Sequence, residues 1–396
     1  MATRTAKILN DIGEIDARHW DECANPQGQP YNPFLSHAFL HAMEKSVSAT
    51  PRTGWKPFHL MLEEGETLLG VVPMYLKGHS QGEYVFDAGW ADAWRRAGGE
   101  YYPKLQVSVP FTPASGRRVL ARGADPIIEQ ALLEACIQVT DQIGVSSLHM
   151  TFLTEPQWQA AGKLGFLQRM DQQYHWHNPG YRCFDDFLSE LSSKKRKNLK
   201  RERRDALNQG IEIELLTGSD LCEAHWDAFY RFYTDTGSRK WGSPYLTRAF
   251  FSEVSASMPD DILLIMCKRA GRYIAGALNF IGSDTLFGRN WGCLEDHRFL
   301  HFETCYYQAI DFAIERGLTR VEAGAQGQHK VARGYLPQAT YSAHWISDPG
   351  FRRAVDNFLT EERQHVQADI EWIERHSPFK NTVDLNQVRA GRFTLN

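Results

Sequence analysis

The chain has 396 residues, 42% of them hydrophobic and 12% aromatic, and a formal net charge near −4. That is enough apolar material for two or three globular domains. No run of about 18 apolar residues is available to cross a bilayer, the opening residues 1–10 lack the apolar core of a secretory signal, and a cytoplasmic protein is expected.

The acidic balance argues against nucleic acid coating the whole surface but leaves room for a local basic patch. The 7 cysteines, at positions 23, 136, 183, 222, 267, 293 and 305, are scattered and never form Cys-x-x-Cys. They support neither a disulfide framework nor a zinc knuckle.

In chain order, Asn32-Pro-Phe-Leu-Ser36 reads as an entry turn with Ser36 capping a helix over 37–45. Residues 58–63 and 67–76 read as a hairpin, with Gly70 and Pro73 marking a bulge or an edge. From 78 to 116 the periodicity breaks down into a stretch rich in Gly, Pro and aromatics, among them Tyr84, Phe86, Trp90, Trp94, Tyr101, Tyr102 and Phe111. Such a stretch either walls a substrate site, with Trp90 and Trp94 as binding surface, or covers a sheet. A periodic helix follows over 125–144, then a strand over 147–153, a helix over 155–164 and a strand over 167–176.

An internal repeat is visible here. Leu164-Gly-Phe-Leu167 leading to Trp176 matches Arg333-Gly-Tyr-Leu336 leading to Trp345, with His175 and His344 in register. The helix, Gly317 and strand over 318–321 that precede the second copy match those preceding the first, and a hairpin over 262–281 carrying Gly276 matches the one carrying Gly70. Two tandem copies of one αβ module account for this pattern. The expected division is 1–180, 181–349 and a C-terminal helix with tail over 350–396, the helix running over 351–375 and the polar tail from 377 poorly ordered.

The second copy opens with a basic segment, 191–210, read as a helix placing Lys197, Lys200, Arg201 and Arg204 along one side and Leu191, Leu199 and Leu207 on a thin apolar stripe. It is either a solvated face or a phosphate-binding surface built on Lys197, Arg201 and Arg204.

The candidate chemistry lies at Glu322-Ala-Gly-Ala-Gln-Gly-Gln-His-Lys-Val-Ala-Arg333, after a helix over 303–316 and a short strand. Gly324 and Gly327 can bring bare N–H groups close to a ligand, with Gln326, Gln328 and Arg333 as further binding groups. Glu322 or His329 would position an amine or accept its proton, and Lys330 would stabilise an oxyanion or phosphate. The structural alternative pairs Glu322 with Lys330 or Arg333. Dinucleotide, P-loop, zinc-protease and serine-hydrolase motifs are absent. His297 and His301 lack an identifiable third ligand, so no metal is expected, and Cys305 with His301 offers a nucleophile or an inert buried thiol.

The segments Phe302-Glu-Thr-Cys-Tyr-Tyr-Gln-Ala-Ile, Glu322 to Lys330, Arg333-Gly-Tyr-Leu-Pro and Ser342-Ala-His-Trp resemble the FemAB-like predicted N-acyltransferases, within the Gcn5-related N-acetyltransferase (GNAT) superfamily. Asn32-Pro-Phe is similar as well, and the resemblance covers about residues 30–375. It implies a mixed α/β fold of two tandem GNAT-like modules and transfer of an acyl or aminoacyl group, from acyl-CoA or aminoacyl-tRNA, to an amine on a small molecule or cell-wall precursor. The superfamily's Arg/Gln-x-x-Gly-x-Gly/Ala loop for coenzyme A is not matched by Gly324-Ala-Gln-Gly327, and no stretch is long enough for the coiled-coil arm of the Fem enzymes. Two rivals stand beside this reading: a non-catalytic module holding RNA or a phosphorylated precursor on the basic helix, and a hydrolase or ligase using Cys305.

Overall fold

The computed structural model describes residues 4–240, 244–324 and 327–391, with only the backbone described at 238–240 and 328. By contact the chain divides into unit 1, Met1–Asp171 with Ala339–Ala368, and unit 2, Gln172–Gln338 with Asp369–Asn396.

In unit 1, strands Arg4–Leu9, His59–Glu64, Thr67–Val72 and Leu120–Ala121 form an antiparallel sheet in that order. A second set runs in the order Trp55–Pro57, Met74–Lys77, Lys104–Val107, Ser147–Leu153 and Leu336–Ile346, of which 104–107 and 147–153 are parallel and the other pairs antiparallel. Leu105, Val107, Leu148 and Met150 pack with Leu132, Leu133 and Cys136 of helix Pro126–Ile143. Asp125 starts that helix by accepting from the Ile127 N–H, and left-handed Gly144 ends it. A Cβ at Gly70 would stand 2.8 Å from Leu132 Cδ1, so glycine is what lets this helix close on its strand.

In unit 2 the order is Ile211–Leu216, Ile262–Arg269, Arg272–Ile281, Thr285–Cys293, Arg320–Glu322 and Leu167–His177, with 285–293 and 320–322 the parallel pair. Leu263, Ile265, Leu286, Val321 and Trp176 bury against Ile310 and Ala313 of helix Gln308–Glu315.

The sequence repeat is a structural repeat. Gly165 and Gly334 turn with φ of 89° and 87°, each is followed by a buried aromatic, Phe166 or Tyr335, and each leads into an 11-residue strand. The compact units do not follow the sequence modules, because strand Leu167–His177 leaves unit 1 after Asp171 and strand Leu336–Ile346 leaves unit 2 after Gln338.

Several expectations need correction. The stretch 78–116 is not wholly irregular: it holds helix Ala88–Arg96 and strand Lys104–Val107. Pro73, which has no N–H for the ladder, divides the second hairpin strand into Thr67–Val72 and Met74–Lys77. The helix read from 303 starts at Leu300 and contains a π-turn over Glu303–Tyr307. The strand after it starts at Arg320, because the Leu318 N–H still closes the helix onto the Ala313 carbonyl at 2.8 Å.

Leu207 is 39% exposed and so is not part of a buried stripe. Residues 377–391 are not a loose tail: Phe379 bridges to Leu191, and helix Leu385–Ala390 buries Val388.

Candidate active site

Strand Arg320–Glu322 ends with Glu322 opposite His175, and the carboxylate is buried. Its oxygens lie 3.5 Å from Arg320 Nε and 3.9 Å from His175 Nε2. Burial first, then Arg320 and His177, hold the His175 imidazole well below its ordinary range. Its neutral ring therefore adds no charge to the carboxylate.

Past the strand the backbone turns through left-handed Gly324 and Gly327, with φ of 78° and 112°. A Cβ at Gly327 would stand 2.5 Å from His329 Cε1. Gln326 lies outside the described residues, as does the side chain of Gln328. The 3-10 turn Gln328–Arg333 follows, closed by left-handed Gly334.

In that turn Lys330 is 3% exposed and its ammonium donates to the Gly324 carbonyl at 2.9 Å. Burial lowers the Lys330 ammonium to about 8, so a neutral amine is accessible near physiological pH. His329 is exposed, with Nε2 2.9 Å from the Tyr306 hydroxyl. Arg333 Nη1 donates to the His329 carbonyl at 2.7 Å, Nη2 reaches both oxygens of Glu202 at 2.9 and 3.0 Å, and the guanidinium lies 3.3 Å over the Phe302 ring.

The structure thus gathers Glu322, Gly324, Gly327, His329, Lys330 and Arg333 at one end of the unit 2 sheet. It does not realise the pairing of Glu322 with Lys330 or Arg333. The neighbours of Glu322 are Arg320 and His175, Lys330 turns to a carbonyl, and Arg333 pairs with Glu202.

Trp90 and Trp94 belong to unit 1, where they pack with Val355, Leu359 and Phe351. Lys197, Arg201 and Arg204 are exposed on helix Ser193–Leu207, Arg204 beside Asp205 and the neighbouring Lys200 beside Asp185. His297 engages Glu295 and Gln209, and among the described residues no group of His, Cys, Asp and Glu is arranged to hold a metal. Cys305 is half-buried in the π-turn.

Sequence reasoning missed Glu202, Arg203, Arg320 and Tyr306. Glu202 and Arg203 sit on the inner face of the basic helix. Glu202 accepts from Arg333 and from the Tyr307 hydroxyl, and Arg203 pairs with Glu303 and Asp311 at 2.9 and 2.6 Å. An acid interrupting a cationic run, in helical phase with the buried Leu199 and Ala206, was the available signal.

A doubled mixed α/β fold, with a polar turn at the end of its second parallel strand pair, defines the class of protein. Residues 11–381 match the FemAB-like family, described as peptidoglycan biosynthesis/recognition, and the chain belongs to that family. No curated protein sequence matches it.

The fold is similar to that of FemX, with a TM-score of 0.55 and 12% identity over 86% of this chain and 98% of that one. It is similar to the C-terminal domain assigned to a lysylphosphatidylglycerol synthetase in Agrobacterium fabrum, at 0.55 and 8% over 87% and 96%. It is also similar to the L-PGS of Bacillus licheniformis, at 0.50 and 8% over 84% and 98%. No helix among the described residues is long and apolar enough to cross a membrane.

Proposed function

We propose that the chain is a cytoplasmic transferase that forms an amide bond, moving an acyl or aminoacyl group from acyl-CoA or aminoacyl-tRNA onto the amine of a small molecule or cell-wall precursor. Family membership supports the peptidoglycan context. The observation that carries the chemistry is Lys330: a buried ammonium, lowered to about 8, directed at the carbonyl of a left-handed glycine just past a strand end.

In the reaction the acceptor nitrogen attacks the donor carbonyl carbon, forming the C–N bond and an oxyanion. Glu322 or His329 takes the proton released from nitrogen. Lys330 leaves the Gly324 carbonyl to donate to the oxyanion, as one of the donors that such a transition state needs. The C–S or C–O bond then breaks as the oxyanion collapses, and the departing thiolate or ribose oxygen takes a proton. Gly324, Gly327, Gln326, Gln328 and Arg333 bind substrate around this turn, and Lys197, Arg201 and Arg204 hold donor phosphates.

The test is amide formation from a panel of acyl-CoA and aminoacyl-tRNA donors, comparing the parent protein with Lys330→Met. Turnover is expected to fall about 100-fold or more. The Gly324 carbonyl loses its donor, so stability falls by about 1 kcal/mol. Near-normal turnover in the variant, or parallel collapse of fold and activity, overturns the assignment.

A second reading, a non-catalytic module that holds RNA or a phosphorylated precursor, draws on the exposed Lys197 and Arg201, which have no carboxylate within ion-pair distance among the described residues. Polyanion binding with no transfer from any donor would select it.

A further inference from the structure

We propose that Glu202 is a positioning residue for the turn Gln328–Arg333, so that the helix displaying Lys197, Arg201 and Arg204 on its outer face fixes His329 and Lys330 through its inner face. The inference deepens the reading of Lys330 as a reacting group and rests on it. Its geometry stands without any assay of transfer.

Three contacts carry the argument. Glu202 receives both forks of its binding from unit 2: Arg333 Nη2 at 2.9 and 3.0 Å and the Tyr307 hydroxyl. Arg333 then spends its other nitrogen, Nη1, on the His329 carbonyl at 2.7 Å. Because Glu202 is 13% and Arg333 7% exposed at the side chain, the pair is screened from water, and a planar guanidinium held by Nη2 on Glu202 and Nη1 on the His329 carbonyl fixes direction as well as distance. Arg333 is also held face-on to Phe302 at 3.3 Å. The carbonyl it grips belongs to the residue before Lys330, inside a turn of only 6 residues.

Beside Glu202, Arg203 makes the reciprocal clamp of opposite polarity, to Glu303 and Asp311. The helix therefore cannot shift without dragging the turn. A polyanion gripping the outer cations would act on the same rigid element that sets the direction of the Lys330 ammonium. Nothing in the proposed transfer requires Glu202 to touch substrate, which separates positioning from catalysis.

The test is titration of the full-length protein carrying 13C-labelled lysine, followed by nuclear magnetic resonance, with Lys330→Met identifying the Lys330 signal. In the parent, Lys330 should titrate near 8. In Glu202→Gln, which keeps the shape, two effects oppose each other. Removing a negative charge alone would lower the Lys330 midpoint, whereas loosening the turn lets water reach the ammonium and raises it.

Positioning predicts a rise of about one unit or more toward the ordinary lysine value. Arg333→Lys, which keeps the charge but loses the fork, should give the same rise. A folded Glu202→Gln protein whose Lys330 midpoint is unchanged or lower overturns the proposal, as does a parent midpoint at the ordinary lysine value. If Lys330→Met proves fully active while the midpoint still rises in Glu202→Gln, the catalytic reading fails and the coupling stands.

Discussion

Unit 1 carries a cross-strand row of Tyr75, Gln106, His149 and His344, and unit 2 carries, at the same place in the repeat, Phe280, Phe287, Glu322 and His175. The unit 1 row is polar throughout and closed off from solvent. His149 and His344 share one hydrogen bond between their Nδ1 atoms at 2.7 Å, so one ring donates while the other accepts. Asp87 takes Lys104 at 2.5 Å and the Tyr101 hydroxyl at 2.7 Å, and Trp90 lays its edge on His344. The unit 2 row is half apolar, but it ends on glycines and a turn that leads to the exposed His329. In the proposed reading, a buried polar row by itself marks no reactive site, and the backbone past the strand end decides.

The largest effect should come from breaking the closed row. Lys104 is 1% and Asp87 3% exposed, and lysine, with the other nearby charges, holds the Asp87 carboxyl far below its usual range against the opposing effect of burial. Lys104→Met strands Asp87 in the interior, while Glu83 keeps Lys77 at 3.6 Å, at a cost of about 3–5 kcal/mol, read as a drop in the urea midpoint. Adding Asp87→Leu should recover much of it, since an apolar replacement of both partners removes the stranded charge. Lost transfer with unchanged stability in Lys104→Met would instead make unit 1 the reacting unit.

That closed row also shows what the sequence could and could not convey. Helix 37–45, strand 147–153 and the repeat were legible because each is a local pattern: Ser36 accepts from the Phe39 N–H, and Gly165 and Gly334 recur ahead of matched strands. Asp87, Lys104 and His149 are far apart in the chain, and only tertiary pairing turns the aromatic stretch 78–116 into the cover of a polar sheet face. Residues 377–391 were misjudged for the same reason, their partner Leu191 lying far upstream. Within the candidate site, the glycines and the cluster 322–333 were readable from composition, but that Lys330 faces the Gly324 carbonyl and that Glu202 answers Arg333 depends on three elements meeting.

A smaller and sharper comparison exchanges the paired positions themselves. Glu322→Gln should lower turnover about 100-fold, within the scale of losing a proton acceptor, whereas His149→Gln should leave turnover unchanged. The two also differ in pH response. Burial pushes His149 down to about 3, below the unfolded value of about 6.5, so the unfolded chain binds more protons between these limits. Stability is therefore fully present above about 6.5 and falls as pH drops toward 3, with a slope of up to about 1.4 kcal/mol per pH unit for this ring. His149→Gln should remove that part of the slope in acid-unfolding curves; an unchanged slope would mean that the ring is already charged in the native state.

The smallest effect on the fold belongs to the outer face of the basic helix. Lys197, Arg201 and Arg204 are exposed, and the pairing of Arg204 with Asp205 is a surface contact worth little. Changing all three to Ala should leave stability within about 0.5 kcal/mol per site. The informative reading is ionic: if these cations hold phosphates, the logarithm of affinity for tRNA or for a phosphorylated precursor falls with the logarithm of salt, and each lost contact should reduce that slope by about one. Glu202→Gln, on the opposite face, should leave the slope alone while shifting Lys330, because it touches no phosphate. A triple variant with unaltered affinity and slope would show that the outer face is solvated surface, and that unit 2 draws its chemistry from the inner face and the turn alone.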